Sequence, residues 1–328
     1  MKRLPLLLVT VLLVVFPLWG ANSKLLAPGL YQVTSLKGGN VLFYVGSSGV
    51  AVVDSGTAPA EGKTVVDEIR SVTDKPILYL FLTHGHPDHV QGACAFPEGT
   101  LVVGSQGLDK ALLAMEKARQ ALPARIREQR ETLERLRKEN AQGILAEEKR
   151  LQDLLEEEKK EYGQSPIPLP ELLVEGRITL SLGDRNVEFL SASPSHTSDS
   201  GVVLFPSINA LHTGDLVFSG IYPYFDFEGG CDSAGWIAQL KKLQAWSPRL
   251  VIPGHGDLGG AEILQAQASL LEELRREVLS ARERGLSREE AIKSIRTLPS
   301  DKGLRWPEIL PRAVDAVYRE MDRKTTAP

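Results

Sequence analysis

The run Thr83-His84-Gly85-His86-Pro87-Asp88-His89 places four metal-ligating side chains within six positions, and three of the chain's six histidines are among them. Imidazole and carboxylate donors without thiolate suit zinc first, with iron or manganese as alternatives. The stretch before it, Ile77-Leu78-Tyr79-Leu80-Phe81-Leu82, is short, apolar and bounded by Pro76, which predicts a buried strand feeding a loop. From an extended segment His84 and His86 point the same way, while Pro87 stiffens the turn and Asp88-His89 opens the next element.

One loop cannot close a centre for two metals, so other ligands must arrive from distant strand ends. His196 follows the apolar Val187-Glu188-Phe189-Leu190 within Ser193-Pro194-Ser195-His196-Thr197. Asp215 follows Ala210-Leu211 within His212-Thr213-Gly214-Asp215, and His255 follows Leu250-Val251-Ile252 within Pro253-Gly254-His255-Gly256. Each has the same local order of apolar strand, small residues and ligand. No Gly-x-Ser-x-Gly elbow, Walker A run or dinucleotide fingerprint competes with this reading.

Together these motifs resemble the metallo-β-lactamase-fold hydrolase superfamily across residues 29 to about 257. The resemblance implies an α/β fold, the αββα metallo-β-lactamase sandwich, here with a helical insertion. It implies His84, His86 and His196 as ligands of a first metal, Asp88, His89 and His255 as ligands of a second, and Asp215 as the bridging carboxylate. Asp54, ending Val50-Ala51-Val52-Val53, resembles the aspartate that supports the metal loop from behind. Two Zn2+ ions per chain are expected, with Fe or Mn possible. The expected activity is hydrolysis of a small-molecule ester, thioester, lactone or phosphodiester by a metal-bridging hydroxide, with Asp88 also as proton shuttle. The zinc β-lactamases of the superfamily carry cysteine or serine where this chain has Asp215. The aspartate fits the glyoxalase II-like and general hydrolase branch and its exported bacterial members. Two alternatives stay open: an iron-dependent persulfide or sulfur dioxygenase of the same superfamily, and a non-catalytic metal-binding or redox-partner protein of the envelope.

His212, the remaining histidine, is read either as a satisfied core residue or as a second support behind the ligands. Residues 1–23, with Lys2-Arg3, an apolar run from Leu4 to Leu18 and Ala21-Asn22-Ser23, read as a signal peptide. They predict an exported, periplasmic or secreted protein with no stable membrane span after cleavage. A net charge of −4 leaves no obvious surface for nucleic acid. Cys94 and Cys231 are expected as free thiols, a disulfide being the alternative and metal ligation a distant third.

The metallo-β-lactamase-like domain is expected over 24–260, with residues 107–165 as its insertion. Dense Glu, Lys and Arg around Leu133, Leu136, Leu151, Leu154 and Leu155 predict a self-pairing helical hairpin. Its helices run from about Leu108, broken at Pro123, to Asn140, and from Ile144 to Tyr162. The hairpin is a structural insert, a lid, or a surface for a homodimer or other partner. Residues 261–328 read as a C-terminal helical extension packed on the same domain, with one helix over Ala261 to Arg284 and another from a capping box at Ser287 onward.

Overall fold

The computed structural model describes residues 22–139, 143–159 and 166–326. A seven-stranded sheet runs in chain order through β1 (Ser23–Ala27), β2 (Leu30–Val33), β3 (Val41–Val45), β4 (Val50–Val53), β5 (Ile77–Phe81), β6 (Leu101–Ser105) and β7 (Leu172–Val174). It is antiparallel from β1 to β4 and parallel from β4 to β7. The parallel half needs crossovers, and these carry α1 (Pro59–Val72), α2 (Pro87–Val90), α3 (Leu108–Lys138) and α4 (Ile144–Lys159). The second sheet, five-stranded, comprises β8 (Arg177–Ser181), β9 (Asn186–Ser191), β10 (Gly201–Phe205), β11 (Ala210–His212) and, beyond the short β12 (Phe218–Ser219) and α5 (Ser233–Gln244), β13 (Leu250–Ile252). After β14 (His255–Gly256), which pairs with β12, come α6 (Ala261–Glu283), α7 (Arg288–Ser294) and α8 (Leu310–Thr326).

Strands buried on both faces sort their side chains by the two-residue period. Leu42, Tyr44, Ala51, Val53, Phe81 and Val103 meet Phe189, Val203, Phe205 and Ile252 between the sheets. Their neighbours Val41, Phe43, Val50, Val52, Leu80 and Val102 face α1 and the start of α3. On the second sheet Val202, Leu211 and Val251 turn outward onto α5, α6 and α8. Three apolar layers of this kind are what an αββα sandwich requires. Phe81 and Phe189 stack across the central layer with ring centroids 5.9 Å apart, and burying each ring contributes about 1.5–3 kcal/mol.

Two expectations are revised. Helix α3 runs unbroken through Pro123. Leu122 and Ile126 are buried on either side of the exposed proline, so tertiary packing holds the helix while the freed carbonyl four residues back can turn to water. The helix from Ser287 does have its capping box with Glu290, but it stops at Ser294, and two short turns, Pro299–Asp301 and Pro307–Ile309, each opened by a proline, separate it from α8. The signal peptide lies outside the described residues except Asn22 and Ser23, and Ser23 already pairs with Val33 in the first sheet. The expected helix ends at Asn140 and Tyr162 also fall outside them. Among the described residues no helix is long and apolar enough to cross a membrane.

The helical hairpin does pair with itself: Leu133 is buried, Gln129 donates to Glu147 Oε2 at 2.6 Å and Arg137 pairs with Glu148. Its root approaches the histidine loop. A Cβ on Gly85 would meet the Ala111 Cβ at 2.7 Å, so glycine there lets α3 seat against the loop.

Candidate metal centre

Every candidate ligand sits just past the C-terminal end of a strand, where the two sheets share one edge. Backbone bonds lock these turns together: Gly201 N donates to Thr83 O at 2.7 Å, Gly254 N to Gly214 O at 2.7 Å, and Asn40 N to Gly254 O at 2.7 Å. The result is two groups of side chains, His84, His86, His196 and Asp215 in one and Asp88, His89 and His255 in the other, with the donor atoms of each group within 4.8 Å of one another.

Asp215 joins the groups. Its Oδ2 lies 3.7 Å from His84 Nε2 and 3.6 Å from His196 Nε2, while Oδ1 lies 3.3 Å from His89 Nε2 and 3.4 Å from His255 Nε2. Each carboxylate oxygen thus faces one group. Asp88 Oδ2 stands 3.1 Å from His255 Nε2 and 3.5 Å from His89 Nε2.

Burial governs the electrostatics. It lowers the basicity of His84 far below the usual imidazole value, aided by His89 and His86. It takes His196 down to about 3 against the pull of Asp215. In the other group burial is outweighed: Asp215 with Asp88 raises His255 to about 9, and Asp215, Asp88 and Asp54 lift His89 well above its ordinary value. His89 and His255 in turn hold Asp88 at about 2 against desolvation.

The donor set fits divalent cations. His84 Nε2 and Asp215 Oδ1 are buried with no hydrogen-bond partner among the described residues. Leaving such atoms bare costs about 1–3 kcal/mol each. His196 Nε2 and His86 Nδ1 confront each other at 3.2 Å, as do His89 Nε2 and His255 Nε2 at 3.4 Å. Facing ring nitrogens repel at such distances, as lone pairs or as protonated donors, and a cation that takes the place of the protons relieves both.

The family model of the metallo-beta-lactamase superfamily matches residues 35–255. The chain belongs to that superfamily. A linear primary-alkylsulfatase of Pseudomonas sp. is 23% identical over 262 residues, 76% of this chain and 48% of the relative. A metallo-beta-lactamase type 2 of Bacteroides fragilis is 30% identical over 101 residues, 30% of this chain and 41% of the relative. Among solved structures, a stereoselective inverting sec-alkylsulfatase from Pseudomonas sp. superposes with TM-score 0.66 at 18% identity, over 94% of this chain and 52% of its own. A metallo-beta-lactamase from Pontibacter korlensis gives 0.56 at 19% identity, over 76% of this chain and 98% of its own. The chain spans about half the length of the alkylsulfatases it matches.

Behind the superfamily's ligand motifs, Asp54 stands where the sequence placed it. It is fully buried at φ 62, a left-handed conformation that aspartate tolerates. Its carboxylate accepts from Thr83 N at 2.8 Å and Thr83 Oγ1 at 2.9 Å, and bonds His89 Nδ1 at 2.8 Å. Thr83 Oγ1 in turn meets His84 Nδ1 at 3.2 Å, so one aspartate orients two imidazoles. His212 touches no ligand side chain through its hydrogen bonds. Its Nε2 meets Asn40 O at 2.8 Å and its Nδ1 accepts from Gly214 N at 3.1 Å, so it fixes the turn carrying Asp215.

Three supports escaped the sequence. Asp226 Oδ2 holds His86 Nε2 at 2.9 Å. Asp199 accepts from Gly85 N at 2.8 Å and so ties two ligand loops. Asn40 donates to Pro253 O at 2.9 Å and Gly256 O at 3.1 Å, bracing the loop of His255. The one available signal was their position in short polar turns beside apolar runs, which many surface residues share. Cys94 and Cys231 are free thiols.

A cavity of about 500 Å³ opens above the centre, with His86, Asp88, Asp215 and His255 along its floor. Phe218, Tyr222, Tyr224, Trp306 and Ile309 form its walls, and Lys37 stands on its rim. No residue of the insertion lines it among the described residues. Phe218 stacks on His255 with centroids 5.4 Å apart, and Trp236 packs edge-on against His196 at 5.3 Å.

Proposed function

We propose that this chain is a two-zinc hydrolase of small esters, an alkyl sulfate ester being the first substrate to try. The observation that carries the two-metal reading is Asp215, whose two oxygens address two separate ligand groups. The sulfate ester is favoured by the alkylsulfatase that aligns over 76% of the chain, and by a cavity joining a polar floor to aromatic walls. Carboxylic esters, thioesters, lactones and phosphodiesters follow in the same assay.

When bound, a pair of divalent cations supplies Lewis acidity, lowering the pKa of water toward neutrality and stabilising charge on the scissile group. The chain supplies the rest. His84, His86 and His196 would hold one ion, Asp88, His89 and His255 the other, and Asp215 both. Asp54 and Asp226 fix the imidazole orientations, so little reorganisation accompanies the reaction. Asp88, ionised and partly open to the cavity, takes the proton of the attacking water on its carboxylate. Phe218 and Tyr224 exclude bulk water, and Lys37 favours an anionic head group at the rim.

Turnover of zinc-loaded protein against decyl sulfate, p-nitrophenyl acetate, a thioester, a lactone and bis-p-nitrophenyl phosphate tests this, with H86A and D215A as controls. Hydrolysis of one class that both variants abolish supports the reading. Activity that survives in both, or dioxygen uptake by an iron-loaded form with no hydrolysis, overturns it. We also propose export directed by residues 1–23; loss of those residues from protein recovered outside the cytoplasm, measured by mass, is the check.

A further inference from the structure

The superfamily match ends at residue 255, yet the wall of the metal cavity does not: Trp306 and Ile309, from the segment between α7 and α8, complete it. Trp306 stands out in three ways. It has φ 63 and ψ 50, a left-handed conformation that strains a bulky L-residue. Pro307 follows it, and a residue before proline is normally driven to extended backbone. Its side chain is large and apolar, yet the residue is 49% exposed.

The neighbouring backbone maintains this conformation. Arg305 N donates to Gly220 O at 3.1 Å, Tyr222 N donates to Arg305 O at 2.9 Å, and Ile309 N donates to Trp306 O at 3.1 Å. Arg305 therefore pairs like a strand residue with Ile221, directly beside the aromatic wall of Tyr222 and Tyr224. Buried Leu298 and Leu310, in the cluster behind the second sheet, anchor the segment on both sides. The strained backbone thus holds a half-exposed indole, with the Arg305 guanidinium 6.0 Å from its ring centroid, at the mouth of a cavity whose floor is the metal centre. An exposed indole gains little there until an apolar group covers it.

We propose that Trp306 is a specificity-determining residue: it receives the apolar arm of a substrate whose ester head lies over the metal centre. The head group binds at His86, Asp88, Asp215 and His255, and the arm leaves along Phe218 and Tyr222 to lie on the indole and Ile309. The substrate class is an amphiphilic ester with a hydrocarbon arm. The C-terminal segment, outside the superfamily's matched residues, selects for it. This assignment rests on the hydrolase reading for its kinetic test, and on the cavity alone for its binding test.

The kinetic test compares wild type, W306A and W306F on p-nitrophenyl acetate, butanoate and decanoate. For W306A kcat/KM falls at least about tenfold with decanoate, mainly through KM, and stays within about twofold with acetate. W306F retains most of the decanoate activity. An equal loss on all three esters, or no loss on decanoate, overturns the proposal. Should W306A fail to fold, I309S must show the same dependence on chain length. The binding test uses decane-1-sulfonate, which lacks a scissile ester, by calorimetry on the same metal-loaded proteins. If wild type hydrolyses no ester the hydrolase reading fails, and the sulfonate alone decides Trp306. Binding weakened about tenfold in W306A upholds its role; equal affinities, or no binding to wild type, overturn it.

Discussion

Asp226 orients His86. The carboxylate bonds Nε2 at 2.9 Å, which leaves Nδ1 directed at His196 Nε2, 3.2 Å away. That hydrogen bond to His86, acting against desolvation, holds the Asp226 carboxyl at about 2, so the support is anionic at neutral pH. Removing it frees the ring to turn. D226A should lower metal affinity about 10–100-fold, as loss of an outer support to a ligand typically does, while D226N retains part of it. Competition with a chromogenic chelator measures the effect; unchanged affinity in D226A would show that Asp226 does not position the ligand.

Asp215 should matter to both ions at once. D215A removes the oxygens that face both groups, whereas H84A removes a donor from one. Metal analysis after dialysis should therefore find both ions depleted in D215A and one retained in H84A. Chelation of the wild type should lower Tm in proportion to the affinity lost, since saturation at a hundred times Kd contributes about 2.7 kcal/mol per site. A Tm unmoved by chelator would argue against a ligand-dependent core at this edge.

Residue spacing carries much information about the centre because its ligands are local words at strand ends. Ile77 to His89 states a strand, a turn and four donors in order, and its unbroken apolar run marks a strand buried on both faces. Asp226, Asn40 and Asp199 were not legible because their roles arise from pairings across the fold: Asp226 meets a histidine 140 positions away. Pro123 misled for the same reason, since burial of Leu122 and Ile126 overrides a local helix breaker. Trp306 reads as an ordinary residue before proline until the cavity shows what it faces.

Metal uptake should expel protons, and mostly from one group. In the metal-free chain His255 titrates at about 9 and His89 also lies above its ordinary value, so both carry protons at neutral pH. His84 and His196 lie below theirs, His196 at about 3, and are already neutral ligands. Raised groups bind metal more tightly as pH climbs toward 9, while depressed groups show no such gain around neutral pH. Zinc titration in weak buffer at pH 7 should release up to about two protons, and H255A should release fewer. Equal release from wild type and H255A would contradict this division.

The thiols should differ in reactivity. Burial pushes Cys231 far up, with Glu320 and Asp226 adding to the shift, while half-exposed Cys94 is raised less. The thiolate is the reactive form, so both react slowly at pH 8 and Cys231 the more so. Mass spectrometry after timed alkylation should find Cys94 modified first, and Cys231 modified only on unfolding. An intact mass showing loss of two hydrogens would instead reveal a disulfide.

Glu320 ties three helices behind the cavity loop. Its Oε2 accepts from Ser233 N at 2.8 Å at the start of α5, and its Oε1 pairs with Arg275 of α6 at 2.7 Å. Glu320 is 4% exposed, so truncation leaves the partly buried Arg275 guanidinium with the Ser233 hydroxyl but without its carboxylate. Breaking a buried pair in this way costs about 3–5 kcal/mol. E320A should lower Tm by several degrees, roughly 2 °C or more per kcal/mol lost. Metal stoichiometry should hold, because no ligand touches this network through its hydrogen bonds. E320A combined with R275M removes both charges and should recover much of the loss, which thermal unfolding of the single and double variants would reveal. Additive losses in that cycle would mean that Glu320 acts through Ser233 and the α5 terminus rather than through Arg275.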